Sequence, residues 1–426
     1  MIENLHNISN QFKELKLIRE VPQRRAVYFC KFNNKPAILK KFMREKDYIA
    51  ESKGLFWLNS ANIMTPKILF VGKIDNVFYI ASERYANALD VEQFIKQKRN
   101  QGLTKNILQQ VIEVNHLLFE KQLLQRDNYL KNYLVSGNKV YPIDAGMIKK
   151  TIFFRRLQQV INLSLLFSKF DQDMFASFTK SFKKNYFLMV MITFMADFFR
   201  LKAIKKYKEK SMRSSTDFEK ISKFKYSINK KRNFEFNVSD LQNMCTGEVI
   251  KNGNTCTVFR YKDLVIKRYN LKNIWHFFLL QFKLSRAQKS WENANALELI
   301  GMPTPEPLAF VVRKFLFFKS EAFYISRYQK GIDILKYAKY IRSDSEMLNF
   351  QKTIKDFFAS LRFYRIFHGD LKGTNLIVDP AKKLCLIDLD SVSFVSFVPL
   401  FNYFHSKDKL RFKHNWNQVK WLAKVI

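Results

Sequence analysis

The stretch His368-Gly-Asp-Leu-Lys-Gly-Thr-Asn375, followed by Leu386-Ile-Asp-Leu-Asp390, is the strongest indication of the fold in this 426-residue chain. A fainter copy lies in the first half, as Arg126-Asp-Asn-Tyr-Leu-Lys-Asn132 followed by Pro142-Ile-Asp-Ala-Gly146. Each copy has an Asp five residues before an Asn, and a second Asp 17 or 18 residues after the first. Corresponding residues of the two copies are 243 or 244 positions apart, which indicates a long internal repeat.

The second-half motif contains the residue types that phosphoryl transfer requires in kinases. Asp370 is placed to accept the proton of an attacking hydroxyl, and Lys372 can reach the γ-phosphate of ATP and stabilise its charge. Asn375 and Asp388 offer amide and carboxylate oxygens, which Mg²⁺ accepts together with phosphate. Asp388 lies in an apolar strand, an unfavourable position for an acid that binds nothing. We therefore predict a site for ATP and Mg²⁺, in which His368 orients the loop.

The first-half motif is a weaker version of the same site. Asp127 is the candidate catalytic residue, and Asn132 and Asp144 are the candidate Mg²⁺ ligands. Gln125 replaces the His, and the nearest downstream cation, Lys131, is not two residues after the Asp. The copy is either a second working site or a degenerate structural one, and the residues leave both open.

In each half an apolar strand ends in Lys ahead of the Asp motif, as Ala37-Ile-Leu-Lys40 and Leu264-Val-Ile-Lys267. In kinases a Lys at this place neutralises the α- and β-phosphates of the nucleotide and is held by a Glu from a helix. Lys40 and Lys267 are the candidates, with Lys41 an alternative in the first half. Glu51 and Glu292 are the candidate partners, and each could instead be a solvated surface charge.

Strand patterns precede helix patterns in both halves. This order predicts an α+β fold of two tandem bilobal protein-kinase-like domains, residues 1–235 and 236–426, with a polar linker near 211–235. The first domain is expected to contain a hairpin at 26–41, a helix at 44–58, strands within 67–84, and helices at 90–122 and 152–210. The second is expected to contain a hairpin at 255–269, a helix at 274–299, strands at 308–318 and 321–328, and helices at 332–341 and 345–366.

The chain has a formal charge of +37, because 74 Lys and Arg outnumber 37 Asp and Glu. Residues 200–232 alone contain 13 basic and 3 acidic residues. Such an excess favours a polyanionic partner, and the 43 Phe suit an anionic lipid–water interface. A Lys- and Phe-rich genome would produce the same composition. No specific nucleic acid partner is expected.

Several features indicate a cytoplasmic protein without a membrane-spanning helix. The four cysteines are scattered and show no metal-ligand spacing, which suits a reducing compartment. The N-terminus lacks the basic start and apolar run of a signal peptide. The longest apolar stretch, 187–195, is bounded by charges and is shorter than the ~18 residues of a spanning helix.

Further short segments accompany the second-half motif: Ser285-Arg-Ala287, Trp291, Gly301-Met-Pro-Thr-Pro-Glu-Pro307 and Arg411-Phe-Lys-His-Asn-Trp416. With them, roughly residues 245–420 resemble the lipopolysaccharide kinase family, which includes the Kdo and heptose kinases of the lipopolysaccharide inner core. The first half is similar to the heptose-kinase branch through Arg126-Asp-Asn-Tyr129 and Tyr133-Leu-Val135. The resemblance implies a protein-kinase-like fold, ATP and Mg²⁺ as cofactors, and a core sugar as acceptor.

Position by position, Asp370 matches the catalytic Asp of that family, and Asn375 and Asp388 match its metal ligands. Ser290 stands where many relatives have a Glu before the Trp, which leaves the ion-pair partner of Lys267 open. The resemblance implies a kinase that phosphorylates a Kdo or heptose hydroxyl. A protein Ser/Thr kinase or a small-molecule phosphotransferase would use the same residues, with the first half a non-catalytic pseudokinase. A non-enzymatic scaffold is a third reading.

The resemblance also implies the partners, a lipid-anchored lipopolysaccharide core acceptor and an anionic inner-membrane surface. Residues 274–284 are apolar on all sides and, with the basic segment 200–232, are candidate lipid contacts. Burial of 274–284 between lobes is the alternative. The expected location is therefore the cytoplasm, with the protein peripheral on the cytoplasmic face of the inner membrane.

Overall fold

The computed structural model describes residues 12–97, 101–179, 186–270, 281, 284–315, 318–414 and 416. The chain divides into two units, Met1–Phe199 and Arg200–Ile426. Each unit combines an antiparallel sheet with helices, so the α+β class is confirmed. That the units are tandem kinase-like domains stays a prediction.

The first unit opens with five strands and a helix: β1 (Phe12–Val21), β2 (Arg25–Phe32), β3 (Lys35–Phe42), α1 (Glu45–Ser60), β4 (Ile68–Ile74) and β5 (Val77–Glu83). The strands form an antiparallel sheet in the order β1-β2-β3-β5-β4. The predicted hairpin, the helix after it and the next strand pair are confirmed. Alternation does not predict β1, because two irregularities in its pairing with β2 break the period of two.

Short strands and helices follow: β6 (Leu89–Asp90), α2 (Val91–Gln97), α3 (Gln101–Glu120), β7 (Leu123–Gln125), β8 (Tyr133–Ser136), β9 (Lys139–Pro142), β10 (Ile148–Lys150), α4 (Arg155–Phe167), α5 (Gln172–Thr179) and α6 (Tyr186–Ser211), whose residues from Arg200 on belong to the second unit. The strands form two small sheets, β6-β8-β9 and β7-β10. Leu58 of α1, Leu118 of α3 and Ile148 of β10 share one fully buried cluster. This cluster fastens α1 to the helical part of the unit.

The second unit begins with seven strands and two helices: β11 (Phe218–Ser222), β12 (Tyr226–Lys231), α7 (Asp240–Met244), β13 (Glu248–Gly253), β14 (Cys256–Tyr261), β15 (Leu264–Tyr269), α8 (Arg286–Leu299), β16 (Pro307–Phe315) and β17 (Phe318–Arg327). The strands form one sheet in the order β11-β12-β16-β17-β15-β14-β13. Trp291 of α8 is fully buried, and its ring packs against Phe218 and Phe310. Helix α8 is thereby fixed against the sheet.

The rest of the second unit is mainly helical: β18 (Ile332–Asp333), α9 (Ile334–Tyr340), α10 (Asp344–Phe363), β19 (Ile366–Phe367), β20 (Leu376–Val378), β21 (Leu384–Leu386), β22 (Ser393–Phe394) and α11 (Val398–His414). Small sheets β18-β20-β21 and β19-β22 frame the loop that follows β19. The helices predicted near 332–341 and 345–366 are confirmed. Within the described residues, no helix is long and apolar enough to cross a membrane.

The two units share one strand order. In the second, β13-β14-β15-β17-β16 follows the order that β1-β2-β3-β5-β4 has in the first. The small sheets correspond as well, β18-β20-β21 to β6-β8-β9 and β19-β22 to β7-β10. Strands β3 and β15 therefore correspond, and they carry Lys40 and Lys267.

The predicted linker does not lie where polarity suggests. Residues 218–231 form β11 and β12, and β12 pairs with β16, so that Ile228 lies opposite Val311. The chain divides at 199–200, so the boundary predicted at 235 falls inside the second unit. A ribbon at a sheet edge keeps many charged side chains in solvent and resembles a polar loop in sequence. Of the segment 274–284, all but 281 and 284 lie outside the described residues.

Candidate functional site

A short loop between β19 and β20 brings Asp370, Lys372 and Asn375 into direct contact. The Asn375 Nδ2 group donates to the Asp370 carbonyl oxygen at 2.8 Å and to the Asp370 Oδ2 atom at 3.1 Å. The Lys372 Nζ atom lies 2.8 Å from the same Oδ2 atom. The Asp370 and Lys372 side chains are 42% and 41% exposed, so both are open to an incoming substrate. In this structure Lys372 is therefore ion-paired with Asp370.

His368 joins this loop to the segment that carries Asp388. Its Nε2 atom lies 3.0 Å from the Ile387 carbonyl oxygen, and its Nδ1 atom accepts the backbone N–H of Asp370 at 3.3 Å. Burial lowers the pKa of His368, so the ring is neutral at pH 7. These contacts assign the proton to Nε2, which donates to Ile387. His368 acts as a positioning residue, as its sequence context predicts.

Replacing His368 by Gln is expected to lower the phosphate transfer that the sequence predicts by less than tenfold, because Gln125 makes the corresponding link in the first unit. Transfer from labelled ATP measures this change. There the Gln125 Nε2 group donates to the Asp144 carbonyl oxygen at 3.2 Å.

The lowered pKa of His368 also predicts that the free energy of unfolding falls as the pH drops below about 6.5, since only the unfolded chain gains the proton. His368→Gln should remove this part of the acid sensitivity. Thermal unfolding at pH 7 and pH 5 measures it, and an equal acid loss in both proteins would contradict it.

Asp408 of α11 anchors the start of the candidate catalytic loop. Its carboxylate accepts the backbone N–H of His368 at 2.6 Å and that of Gly369 at 3.2 Å. The residue is completely buried, and Arg411 lies 3.7 Å from it and donates to the Gly369 carbonyl oxygen. Sequence reasoning missed Asp408, because an Asp three residues before an Arg resembles any surface pair of a helix.

Asp388 faces Lys267, whose Nζ atom lies 3.0 Å from Asp388 Oδ1. The backbone of Asp388 is left-handed, with φ of 62°, a strained conformation that concentrates at functional sites. Burial on its own would raise the pKa of Asp388, but Lys267 and then Arg286 hold it below its usual range. The carboxylate is therefore charged and aimed at the Lys of β15.

Glu292, the predicted partner of Lys267, does not pair with it. Its carboxylate lies 3.9 Å from the Lys208 Nζ atom. Helix α8 instead contributes Ser290, whose hydroxyl lies 2.9 Å from the Tyr269 hydroxyl. Residues two apart on a helix point in different directions, so Glu292 cannot take the place of Ser290. The Lys of this unit is held by Asp388 alone among the ion pairs of the described residues.

In the first unit the predicted Lys–Glu pair is present. The Lys40 Nζ group forms an ion pair with Glu51 of α1 and donates to the Ile143 carbonyl oxygen at 3.0 Å. Glu51 is 2% exposed, and its Oε2 atom accepts the backbone N–H of Gly146 at 3.0 Å. The pair ties β3, α1 and the turn after Asp144 together. This is the geometry that a phosphate-binding Lys requires.

The loop of the first unit repeats part of the arrangement around Asp370. The Asn132 Nδ2 group donates to the Asp127 carbonyl oxygen at 2.7 Å. Lys131 lies over the Tyr129 ring, 5.7 Å from its centroid. The loop thus retains the Asp–Asn connection, while its nearest cation is directed at an aromatic ring.

A cleft of about 720 Å³ in the first unit brings the predicted residues Lys40, Glu51, Asn132 and Asp144 together. Its volume is within the range of small-molecule sites, roughly 300–1,000 Å³. Arg25, the first residue of β2, lines it and donates to the two carboxylate oxygens of Asp144 at 3.3 and 3.4 Å. Sequence reasoning missed Arg25, because one Arg in a hairpin carries no signal of its own. Apolar side chains line much of the remaining wall, among them Val27, Ile38, Ile80 and Leu134.

The two Asn–Asp sets differ in how they suit Mg²⁺. In the second unit the Ile387 N–H bonds the Asn375 carbonyl oxygen at 3.1 Å and keeps Asn375 near Asp388. An amide and a carboxylate oxygen beside phosphate suit Mg²⁺, and the residues of this unit fit the ion. In the first unit Arg25 engages both carboxylate oxygens of Asp144. That set does not fit Mg²⁺ in this conformation.

No family model matches the chain, and no curated protein matches it. Among solved structures, the chain is similar to an apo form of a thermostable mutant of aminoglycoside phosphotransferase APH(4)-Ia, with a TM-score of 0.37 and 10% identity over 50% of this chain and 91% of that chain. A ternary complex of a thermostable mutant of that enzyme with ADP and hygromycin B has a TM-score of 0.36 and 12% identity, over 49% and 89%. Likeness at this level assigns no activity to this chain.

Proposed function

We propose that the protein is an ATP- and Mg²⁺-dependent phosphotransferase with an alcohol acceptor, and that the second unit performs the transfer. The observation that carries the proposal is the contact between Asp370, Lys372 and Asn375 in one loop, in which the Asp370 and Lys372 side chains are half-exposed and Asn375 is buried. His368 connects this loop to Asp388, and Asp388 faces Lys267. A proton acceptor, a phosphate-binding cation and two metal ligands are thus assembled from three separate segments.

The residues suggest a division of roles. The acceptor hydroxyl gives its proton to Asp370 as its oxygen attacks the γ-phosphorus, and ADP is the leaving group. Lys372 exchanges its ion pair with Asp370 for the transferring phosphoryl group, and Lys267 binds the remaining phosphates. Mg²⁺ held by Asn375 and Asp388 would neutralise phosphate charge.

The acceptor that we propose is a Kdo or heptose hydroxyl of the lipopolysaccharide inner core. The support is the resemblance of residues 245–420 to the lipopolysaccharide kinases and the net charge of +37, which suits a phosphorylated, lipid-anchored acceptor. A protein hydroxyl or a small alcohol would use the same residues. The choice therefore depends on the acceptor that is phosphorylated.

The test is transfer from γ-labelled ATP with Mg²⁺ to three kinds of acceptor: inner-core lipopolysaccharide with Kdo and heptose, a mixed protein substrate, and small polyols. Labelled lipopolysaccharide that retains the label in its core sugars after lipid A is removed is the expected result. Transfer to protein alone would move the assignment to a protein kinase. A folded, ATP-binding chain that labels no acceptor would sink the phosphotransferase proposal.

We further propose that α6 contacts an anionic membrane surface. Phe187, Val190, Phe194 and Phe198 recur at helical spacing and are 74%, 47%, 66% and 56% exposed. In the sequence this stripe is followed by the basic segment 200–232. Exposed Phe followed by Lys and Arg is the composition of an interfacial helix.

Phe194→Asp is expected to weaken binding to vesicles of zwitterionic and anionic lipid by tenfold or more, because burial of one Phe is worth about 1.5–3 kcal/mol. Sedimentation with the vesicles measures the effect. The matched control is Phe56→Asp, which changes a Phe that is 68% exposed on a different helix, α1. Equal losses in the two variants, or no vesicle binding by the wild type, would refute the proposed surface.

A further inference from the structure

In the cleft of the first unit, the Arg25 guanidinium lies on Asp144, whereas the corresponding Asp388 of the second unit would hold a metal ion. We propose that this unit binds a nucleoside di- or triphosphate without Mg²⁺, with the Arg25 guanidinium in place of the ion on Asp144. The proposal rests on the nucleotide use proposed above and assigns a different role to this unit. It makes the first unit a metal-independent nucleotide site in a chain whose second unit is a metal-dependent transferase.

The contacts of Arg25 carry the inference. Its Nη1 and Nη2 groups donate to Oδ1 and Oδ2 of Asp144 at 3.3 and 3.4 Å, a two-pronged arrangement that matches a planar guanidinium to a carboxylate. Its Nη1 atom also lies 4.0 Å from Glu51. The Arg25 and Asp144 side chains are 27% and 20% exposed, so the pair is largely shielded from solvent. A divalent cation would have to displace a guanidinium that donates to both carboxylate oxygens of Asp144.

The position of Arg25 allows it to contact a bound phosphate as well as Asp144. Arg25 follows the turn between β1 and β2, and Val21 pairs with it across that turn. It therefore lies at the tip of the first hairpin, and it reaches from there to Asp144 on the other side of the cleft. A guanidinium at this point can bind phosphate oxygens and Asp144 at once, because it has five N–H donors. It would bridge protein and phosphate, as a metal ion does.

The charges of the cleft support an anionic ligand. Five basic residues line it and exceed its four acidic residues: Arg19, Arg25, Lys40, Arg84 and Lys131 against Glu51, Glu83, Asp90 and Asp144. Lys40 is already oriented by Glu51 and by the Ile143 carbonyl oxygen, so the phosphate-binding Lys needs no rearrangement. The apolar side chains of the cleft suit a base, and the guanidinium of Arg25 and the ammonium of Lys40 suit phosphates. Together they favour a nucleotide.

The second unit shows what the first has changed. The residue that opens β14, in the place of Arg25 in the shared strand order, is the uncharged Cys256. Asp388 has Lys267 as its ion-pair partner, at 3.0 Å on one carboxylate oxygen. Within the described residues, the other carboxylate oxygen of Asp388 has no ion-pair partner and is available to a metal ion. At this position the two units differ by a charged side chain, Arg25 in the first and the uncharged Cys256 in the second.

The experiment uses the full chain with Lys267→Ala, which weakens the site of the second unit, and measures binding of fluorescent ADP with Mg²⁺ or with EDTA. We expect affinities within threefold of each other in the two conditions. Arg25→Ala in the same chain should lose at least tenfold in EDTA and recover with Mg²⁺, which then reaches Asp144. Lys40→Ala should remove binding in both conditions and so assign the signal to the first unit.

Arg24→Ala is the matched control, because Arg24 is the neighbouring residue and pairs with Asp47 instead of Asp144. It should bind as the parent chain does, and thermal unfolding of each variant checks that it folds. Loss of binding in EDTA while Arg25 is present would overturn the inference, and so would absence of any signal that Lys40→Ala removes. Failure of the transferase proposal is distinguishable, because it would abolish labelling of acceptors and leave this binding intact.

Discussion

Asp370→Asn is expected to lower phosphate transfer by about 10²–10⁴-fold, the contribution typical of a general base. The Asp370 carboxylate holds Lys372 and Asn375 around it, and an Asn side chain keeps a similar shape without a basic oxygen. The loop should therefore stay folded while proton acceptance is lost. Steady-state transfer from labelled ATP measures the rate, and ATP affinity should change less than twofold.

Two further variants sharpen this result. Asp344→Asn, on the exposed first turn of α10, is the matched control and should leave the rate unchanged. Asp127→Asn should cost less than threefold, because Arg25 occupies the carboxylate that the first unit would need for a metal ion. A larger loss in Asp127→Asn than in Asp370→Asn would make the first unit the catalyst. Partial losses in each, on different product positions, would indicate two working sites.

Asp408→Ala is expected to destabilise the second unit and to abolish most activity. The substitution leaves the buried N–H groups of His368 and Gly369 without their acceptor, and each unsatisfied group costs about 1–3 kcal/mol. The loss also removes the 3.7 Å ion pair between Asp408 and Arg411 and loosens the loop that carries Asp370. Chemical unfolding, with tryptophan fluorescence as the signal, measures the stability, and the transfer assay measures the loop.

Asp408→Asn separates positioning from folding, because an amide oxygen still accepts a hydrogen bond. It should retain most of the stability at pH 7 and lose phosphate transfer through a misplaced Asp370, with a larger effect on kcat than on KM.

Burial raises the pKa of Asp408 to about 6 from an ordinary value of 3.8. The folded chain therefore holds a proton here that the unfolded chain releases, so this group's contribution to stability falls as the pH rises from about 4 to 6. Asp408→Asn should lack that dependence, and an unchanged pH profile would contradict the assignment.

The sequence predicted which side chains lie together best where the residues are close in the chain. Asp370, Lys372 and Asn375 belong to one loop, so their spacing predicts that they meet. Lys40 of β3 and Glu51 of α1 are 11 residues apart, and the short connection between this strand and this helix keeps them close. The choice of Glu292 for Lys267 was wrong, because a two-residue offset on α8 turns a side chain to another direction.

Residues from distant segments could not be predicted in the same way. Asp408 lies 40 residues after His368 and Arg25 lies 119 residues before Asp144, and no local pattern connects either pair. The segment near 211–235 was predicted to be a linker for a related reason. It contains β11 and β12, and β12 pairs with β16, which lies far along the chain. Strand pairing of this kind depends on the partner more than on local propensity.

Local spacing and periodicity in the sequence are enough to predict the internal repeat, the α+β order of elements and the Asp–Asn–Asp sets. The contacts that each set makes depend on the tertiary structure. It placed Arg25 on Asp144 in one unit and Lys267 on Asp388 in the other, and it anchored the Asp370 loop on Asp408. These contacts depend on how sheets and helices pack within each unit, and packing joins residues that the chain keeps far apart.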